Sequence, residues 1–320
     1  MDLTPSDEQR LLRESADRFV SETYTADHRR RIAGEPLGFS TKIWQQFAEP
    51  GWLAMPIAED HGGLGGGAIE IGILMEAFGR GLVSEPYLST VVIGASLISG
   101  CGTEAQKQAL LPKIADGSLV LAFAHSERQA RFDLADVRTT AKKTPDGWRL
   151  DGQKTAVLDG NAAAQIIVSA RIDDGTDAAK LCLFLVPQGV RGLTARDFPR
   201  LGGGRACNLD LRAVRLAADA LLADGTHALP AIEAVVDRAM AALGAEAVGI
   251  MQTLLDQTLE YTKIRKQFGR PLSANQVIRH RLADMAMQCD EARSMALRAA
   301  LMADAEPVAR SRAASGAKAK

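Results

Sequence analysis

The sequence predicts a multidomain α+β chain: an N-terminal helical domain, a middle antiparallel β domain and a C-terminal helical bundle. Three observations predict it. Up to about residue 118, apolar residues recur every three or four positions. From there to about residue 222 the pattern breaks into short runs with strand character. After "DGTH" (224–227) the three-or-four step returns. The domains are therefore expected at 1–118, 119–223 and 224–320.

Helices come first. Thr4 is expected to cap the first one, with Pro5 at its first position and Asp7 in its first turn. Leu11, Leu12, Ser15, Phe19 and Val20 keep one face toward a core. "STKIWQQFAEPGW" (40–52) is a second, short helix stopped by Pro50 and Gly51. "EDHGGLGGG" (59–67) is a tight loop between helices. It is not a phosphate-binding G-x-G-x-x-G, because no parallel βαβ unit surrounds it. "AIEIGILMEAFGRG" (68–81) is apolar nearly all round and should be a buried helix. Thr103 and Gln106 form a capping box before "KQALLPKIADG".

The strand-like runs are "LVLAFAHS", "TTAKKT", "WRLDGQKTAV", "QIIVSARI", "KLCLFLVP" and "NLDLRAVRL". "TPDGW" supplies a hairpin turn between the second and third. Beyond them one helix is expected from about Leu229 to Lys266, about 50 Å long, ended by Gly269 and Pro271. Ser273 or Asn275 caps a second long helix through Val277, Leu282, Cys289 and Met295. Pro307 opens a third, which carries no stop signal and is expected to continue past Lys320.

Composition narrows the function classes. With 320 residues, 47% of them hydrophobic, the chain can bury a large core. A net charge of -1, from 38 basic and 39 acidic residues, argues against a polyanion-binding protein. The four cysteines are far apart, with no zinc spacing, which suits reduced thiols in a cytoplasmic protein. The polar, acidic start does not resemble a signal peptide. No apolar run reaches the roughly 18 residues that a membrane helix needs. One local feature stands apart: "EYTKIRKQFGRPL" (260–272) gathers Lys263, Arg265, Lys266 and Arg270 around Phe268 and Gly269. Arginine presents a rigid fork to phosphate oxygens. The other three cations read as a solvated helix end that answers the negative pole of the dipole.

The order helical, β, helical, with "RKQFG" closing a long helix, resembles the acyl-CoA dehydrogenases. The stretch "YTKIRKQFGRPLSANQVIRHRLADMAMQCDEARSMAL" carries the likeness, with "HGGLGGG", "DGWRLDGQK" and "AALGAEAVG". Within that family "AFAHSERQARFDLADVRTTA", "DGQKTAVLDG" and "VVDRAMAALGAEAVGIMQTLL" are similar to the pimeloyl-CoA dehydrogenase small-subunit branch.

The resemblance implies FAD between the β domain and the C-terminal helices, reaching into a neighbouring subunit. Arg265 would contact the pyrophosphate, with Gln267 and Phe268 beside the nucleotide and Gln276 bonding nearby. Phe123, His125 and Ser126 would run along the flavin edge, through backbone groups; the His125 side chain itself reads as structural. The family's usual aromatic over the flavin and its hydroxyl two positions later correspond here to Ala156 and Leu158, which cannot supply those contacts. Arg131 and Phe132 stand where the family has Gly and Ser, at the acyl entrance. Asp237 and Met240 would line the substrate side, and Arg128 or Arg131 could neutralise a distal carboxylate.

The implied reaction removes two hydrogens from an acyl-CoA to give the 2,3-enoyl-CoA, with electrons passed to an electron-transfer flavoprotein. A carboxylate must take the α proton. In most relatives it lies beyond the position of Lys320; in others it lies where Ala239 stands here. No catalytic base is assigned, since Asp237 points half a turn away and Glu246 and Asp256 read as a solvated or interface face. The chain is thus either a fragment of a competent dehydrogenase or a non-catalytic partner subunit of a heteromer. Both readings require a homo- or hetero-oligomer, because the long helices carry broad apolar faces. A flavin monooxygenase or oxidase, and a DNA-binding protein, are the alternatives on this fold.

Overall fold

The computed structural model describes residues 4–172 and 180–320. Its helices are α1 (Asp7–Thr23), α2 (Ala26–Ile32), α3 (Thr41–Ala48), α4 (Ala68–Gly81), α5 (Ser96–Cys101), α6 (Glu104–Ala115), α7 (Ala228–Ile264), α8 (Gln276–Leu301) and α9 (Pro307–Ala319). Its strands are β1 (Leu121–Ala124), β2 (Thr140–Thr144), β3 (Gly147–Leu158), β4 (Gln165–Ile172), β5 (Leu181–Pro187), β6 (Leu193–Pro199), β7 (Arg205–Leu216), β8 (Leu221–Ala223), β9 (Lys266–Gln267) and β10 (Arg270–Pro271). The helical N-terminal part, β middle and helical C-terminal part are all present. The chain divides into two compact units: Met1–Arg29, Gly67–Val83 and Asp237–Lys320 form one, and Arg30–Gly66 and Ser84–Val236 the other.

The first unit is helical. Ser6, not Thr4, caps α1: its hydroxyl accepts the Gln9 N–H at 3.2 Å, and the Gln9 side chain accepts the Ser6 N–H at 3.1 Å. This reciprocal box satisfies two orphan donors at once. α4 buries Ile71, Ile73, Leu74, Met75 and Phe78, as its all-round apolarity predicts. It crosses α7 at backbone contact. A Cβ on Gly79 would lie 2.0 Å from the Glu246 carbonyl oxygen, and one on Gly249 2.0 Å from that of Glu76. Beside the crossing, the buried Glu76 carboxylate meets Arg13 at 3.2 Å, Arg80 at 3.2 Å and Arg293 at 3.3 Å. Burial alone would raise its pKa; the guanidiniums outweigh that and hold it below the usual range.

α7 has 37 residues, about 55 Å at the rise of an α-helix. It stops at Ile264 rather than Lys266, because Lys266 and Gln267 pair with Pro271 and Arg270 in a short antiparallel hairpin. Asn275 occupies the cap position of α8, but its side chain serves the hairpin instead. It accepts from Arg270 at 2.6 Å and donates to the Leu272 carbonyl at 3.1 Å. Pro307 opens α9, where the Glu306 carboxylate accepts the N–H groups of Val308 and Ala309 at 3.2 and 3.0 Å.

The second unit is built on an eight-stranded sheet in the order β6-β7-β3-β2-β4-β5-β8, with β1 paired to β4. Most pairings are antiparallel, but β1 and β2 both run parallel to β4, which the sequence reading did not foresee. β6 was not foreseen either: its residues are mostly exposed, so no apolar alternation marks it. Pro145 and Asp146 connect β2 to β3 as expected, with Thr144 opposite Gly147. The core runs through Trp148, Leu150, Ile166, Val168, Phe184 and Leu209. A π-helical stretch, Leu88–Ala95, is tied to β1 by the Thr90 hydroxyl, which accepts the Leu121 N–H at 3.1 Å and donates to its carbonyl at 3.2 Å. In the glycine loop a Cβ on Gly63 would meet the Ile57 carbonyl oxygen at 1.8 Å, so that position admits no side chain.

Candidate functional site

The residues expected to form the site lie on four scaffolds. On the first, the end of β1, Phe123 is half-buried and stacks on His125 with ring centroids 5.4 Å apart. His125 is buried, and its Nδ1 lies 2.9 Å from Ser169 Oγ. Burial, together with the charge of Lys154, pushes its pKa down to about 4, so the ring is neutral near pH 7. That is the structural role expected for its side chain. Ser126 is exposed, and its carbonyl accepts the Thr155 N–H at 2.9 Å, which locks the strand end against β3.

Beneath this strand end lies a group that the sequence reading missed. Lys154 Nζ donates to Glu127 Oε1 at 2.7 Å, to Ser169 Oγ at 2.9 Å and to the His125 carbonyl at 3.2 Å. Glu127 also accepts from Arg138 N, Thr139 N, Thr139 Oγ1 and Gln129 Nε2 at 2.7–3.0 Å. Burial would raise the Glu127 pKa, but the Lys154 ammonium and these donors bring it down to about 2. The signal was available: two-residue alternation puts Lys154 on the inward face of β3 with Trp148 and Leu150, where a cation needs a counter-ion.

The second scaffold is the outer face of β3. Ala156 is exposed with φ of 53°, inside a register shift between Lys154 and Val157. Its N–H, displaced from the ladder, is taken by Asn208 Oδ1 at 3.0 Å. Leu158 is half-buried two residues on. A groove of about 690 Å³ opens here, lined by Glu127, Arg128, Thr139, Ala156, Arg196 and Asn208, among others. Arg131 (φ 50°) and Phe132 are exposed on the neighbouring loop and do not line this groove.

The third scaffold is the hairpin after α7. Phe268 and Gly269 have φ of 52° and 78°, two successive left-handed residues that suit the tight connection of β9 to β10. Glycine adopts this freely; phenylalanine does so at about 1–2 kcal/mol. Phe268 is fully exposed at the tip, and Arg265, Gln267 and Gln276 are exposed around it. Lys263 and Arg270 have local partners in Glu260 and Asn275 at 2.9 and 2.6 Å. Arg265 has no side-chain partner among the described residues.

On α7 itself, Ala239 is buried and Met240 half-buried. Asp237 is buried, and its Oδ2 accepts from Arg310 Nε at 2.8 Å. The expected substrate-side carboxylate is therefore already committed to a cation on α9. Among the described residues no cluster of His, Cys, Asp and Glu is placed to hold a metal, and no helix is long and apolar enough to cross a membrane.

Family models match the chain in order: acyl-CoA dehydrogenase N-terminal domain at residues 6–118, middle domain at 122–214 and C-terminal domain at 229–320. The chain belongs to the acyl-CoA dehydrogenase family. Among curated relatives it is 33% identical to the probable acyl-CoA dehydrogenase YngJ of Bacillus subtilis, over 93% of this chain and 79% of that protein. Among solved structures it is similar to a Tcur3481–Tcur3483 steroid acyl-CoA dehydrogenase variant, at 32% identity and a TM-score of 0.85, over 98% of this chain and 82% of the other. It is also similar to a glutaryl-CoA dehydrogenase of Mycobacterium smegmatis in complex with FADH2, at 25% identity and a TM-score of 0.84, over 94% and 77%. As an acyl-CoA dehydrogenase family member the chain is a flavoprotein-type oxidoreductase for acyl-CoA.

Proposed function

We propose that this chain binds FAD and serves the α,β-dehydrogenation of an acyl-CoA thioester, with electrons leaving to an electron-transfer flavoprotein. The observation that carries the reading is the β9–β10 hairpin. It leaves Arg265 unpaired and Phe268 fully exposed in a left-handed conformation, features that intramolecular packing does not explain. Arg265 would hold the cofactor's diphosphate, Phe268 would cover an apolar ring face, and Gln267 and Gln276 would add hydrogen bonds. The rigid backbone of residues 123–126, braced by Lys154 and Thr155, suits bonding along a ring edge. Bound FAD would supply the hydride acceptor.

The other residues favour a second reading, in which the chain is one subunit of a heteromer. Ala156 has no ring to lay over a flavin, Leu158 has no hydroxyl, Ala239 cannot move a proton, and Asp237 is held by Arg310. The likeness to pimeloyl-CoA dehydrogenase small subunits points the same way. The steroid acyl-CoA dehydrogenase to which the chain is similar carries a two-component name, Tcur3481–Tcur3483. Exposed Leu254, Tyr261, Ile264 and Val277 on α7 and α8 offer an apolar surface to a partner chain. A cytoplasmic location and the domain division at 118 and 223 form part of the same proposal.

The test is co-purification with the product of the neighbouring gene, followed by a visible spectrum and anaerobic addition of acyl-CoA. A yellow complex that bleaches supports the reading; yellow colour only in the pair supports the heteromer. Absence of flavin from the chain alone and from the pair overturns both. Reoxidation in air faster than by an electron-transfer flavoprotein would instead mark an oxidase.

A further inference from the structure

The groove on the outer face of the sheet holds charges that the proposed flavin site does not use. Arg196 on β6 stands opposite Asn208 on β7, and Asn208 bonds Ala156 on β3. Opposite residues on neighbouring strands share a face, so the three form a row. Beyond it, the Ser126 carbonyl bonds Thr155, and Arg128 follows two residues later. At one strand spacing per step, Arg196 and the loop of Arg128 are about 15 Å apart at the backbone. Both side chains line the same groove.

The charge balance is positive. Arg128 and Arg196 are exposed, with no side-chain partner among the described residues. Arg138, also on the groove, lies 3.9 Å from Asp136 in a loose, exposed pair. Of the two carboxylates of the lining, Glu127 is paired with Lys154 at 2.7 Å, while Asp210 accepts from the neutral Gln153 amide at 2.6 Å and keeps its charge; the cations Arg128, Arg138, Lys154 and Arg196 outnumber them. Arg128 and Arg196 remain free, with the Asp210 carboxylate and amide and hydroxyl groups in the same lining.

We propose that this groove binds an elongated organic dianion, with one phosphate or carboxylate on Arg196 and the other on Arg128. Paired arginine–oxyanion contacts favour two separated charges over one. All residues of the groove belong to one unit; Ala156 borders the proposed flavin site, so flavin and dianion binding are measured separately. A chain that binds flavin but no dianion overturns this proposal alone.

Titration calorimetry on the full chain at low ionic strength tests it, with pyrophosphate, adenosine diphosphate, heptanedioate and acetate as probes. At least one dianion should bind ten times or more tighter than acetate. Preference for the phosphates identifies a nucleotide-type ligand, and preference for heptanedioate a dicarboxylate. Arg128→Ala and Arg196→Ala should each weaken binding about fivefold, and Arg212→Ala, on β7 outside the groove, should not. No dianion preference, or an effect from one arginine only, overturns the two-ended site. The melting temperature of each variant separates loss of binding from loss of fold.

Discussion

Lys154 Nζ lies 2.7 Å from Glu127 Oε1, with the lysine side chain 0% and the glutamate side chain 4% exposed. Removing one partner leaves the other charge buried alone, at about 3–5 kcal/mol. Lys154→Met and Glu127→Leu should each lower the unfolding free energy measured in urea by that amount. The double variant should lose far less than the sum, since neither orphan charge remains. Additive losses would mean that the two side chains do not act as a pair.

The same buried group makes the β domain acid-sensitive. His125 is held at a pKa of about 4 against an ordinary value of 6.5, so the unfolded chain binds the extra proton first. Its contribution is complete above pH 6.5 and is lost as pH falls toward about 4. Glu127, held at about 2 against 4.5, contributes above pH 4.5 and loses that on further descent. Each shift corresponds to about 3 kcal/mol. Urea unfolding at pH 7 and pH 5 should show stability already falling, and His125→Asn should flatten that segment. An unchanged slope in the variant would rule out the histidine as its source.

Gly249 and Gly244 both lie on α7, yet they should respond oppositely to alanine. A methyl on Gly249 meets the Glu76 carbonyl oxygen at 2.0 Å, and backbone cannot move aside as a side chain can. Gly249→Ala should destabilise by about 2–3 kcal/mol. A methyl on Gly244 meets Ala296 at 3.6 Å and Ala317 at 3.8 Å, which is ordinary contact. Gly244→Ala should be neutral or gain up to about 1 kcal/mol from helix propensity. Thermal melts of the two variants decide it.

Phe268 adopts its left-handed conformation with no packing to support it. Phe268→Gly should therefore shift stability of the isolated chain by no more than about 1 kcal/mol. Flavin retention through gel filtration should fall at least tenfold, and likewise for Arg265→Ala. Equal flavin retention in both variants would remove the hairpin from the cofactor site.

Much of the fold is local and was legible in sequence. The Thr103–Gln106 box forms as read, with Thr103 accepting from Gln106 N at 3.3 Å. The turn at Pro145–Asp146 and the all-round apolar α4 follow from short-range rules as well. The Thr4 cap failed because Ser6 carries the better partner three residues on. β6 escaped because an exposed edge strand has no apolar alternation. Of the candidate site, the environments were not legible: the Arg310 that holds Asp237 lies 73 residues away.

By itself the sequence determined the succession of helical, β and helical segments, the charged cluster around Arg265 and the apolar side chains at Ala156, Leu158 and Ala239. These depend on composition and on spacing within a few residues. Tertiary structure alone decided which charges are spent. Lys154 and Glu127 are 27 residues apart, and Arg310 and Asp237 are 73 apart, distances over which no local periodicity carries information. It also decided that Arg128 and Arg196 share a groove, because strand order, not chain order, sets which side chains are neighbours.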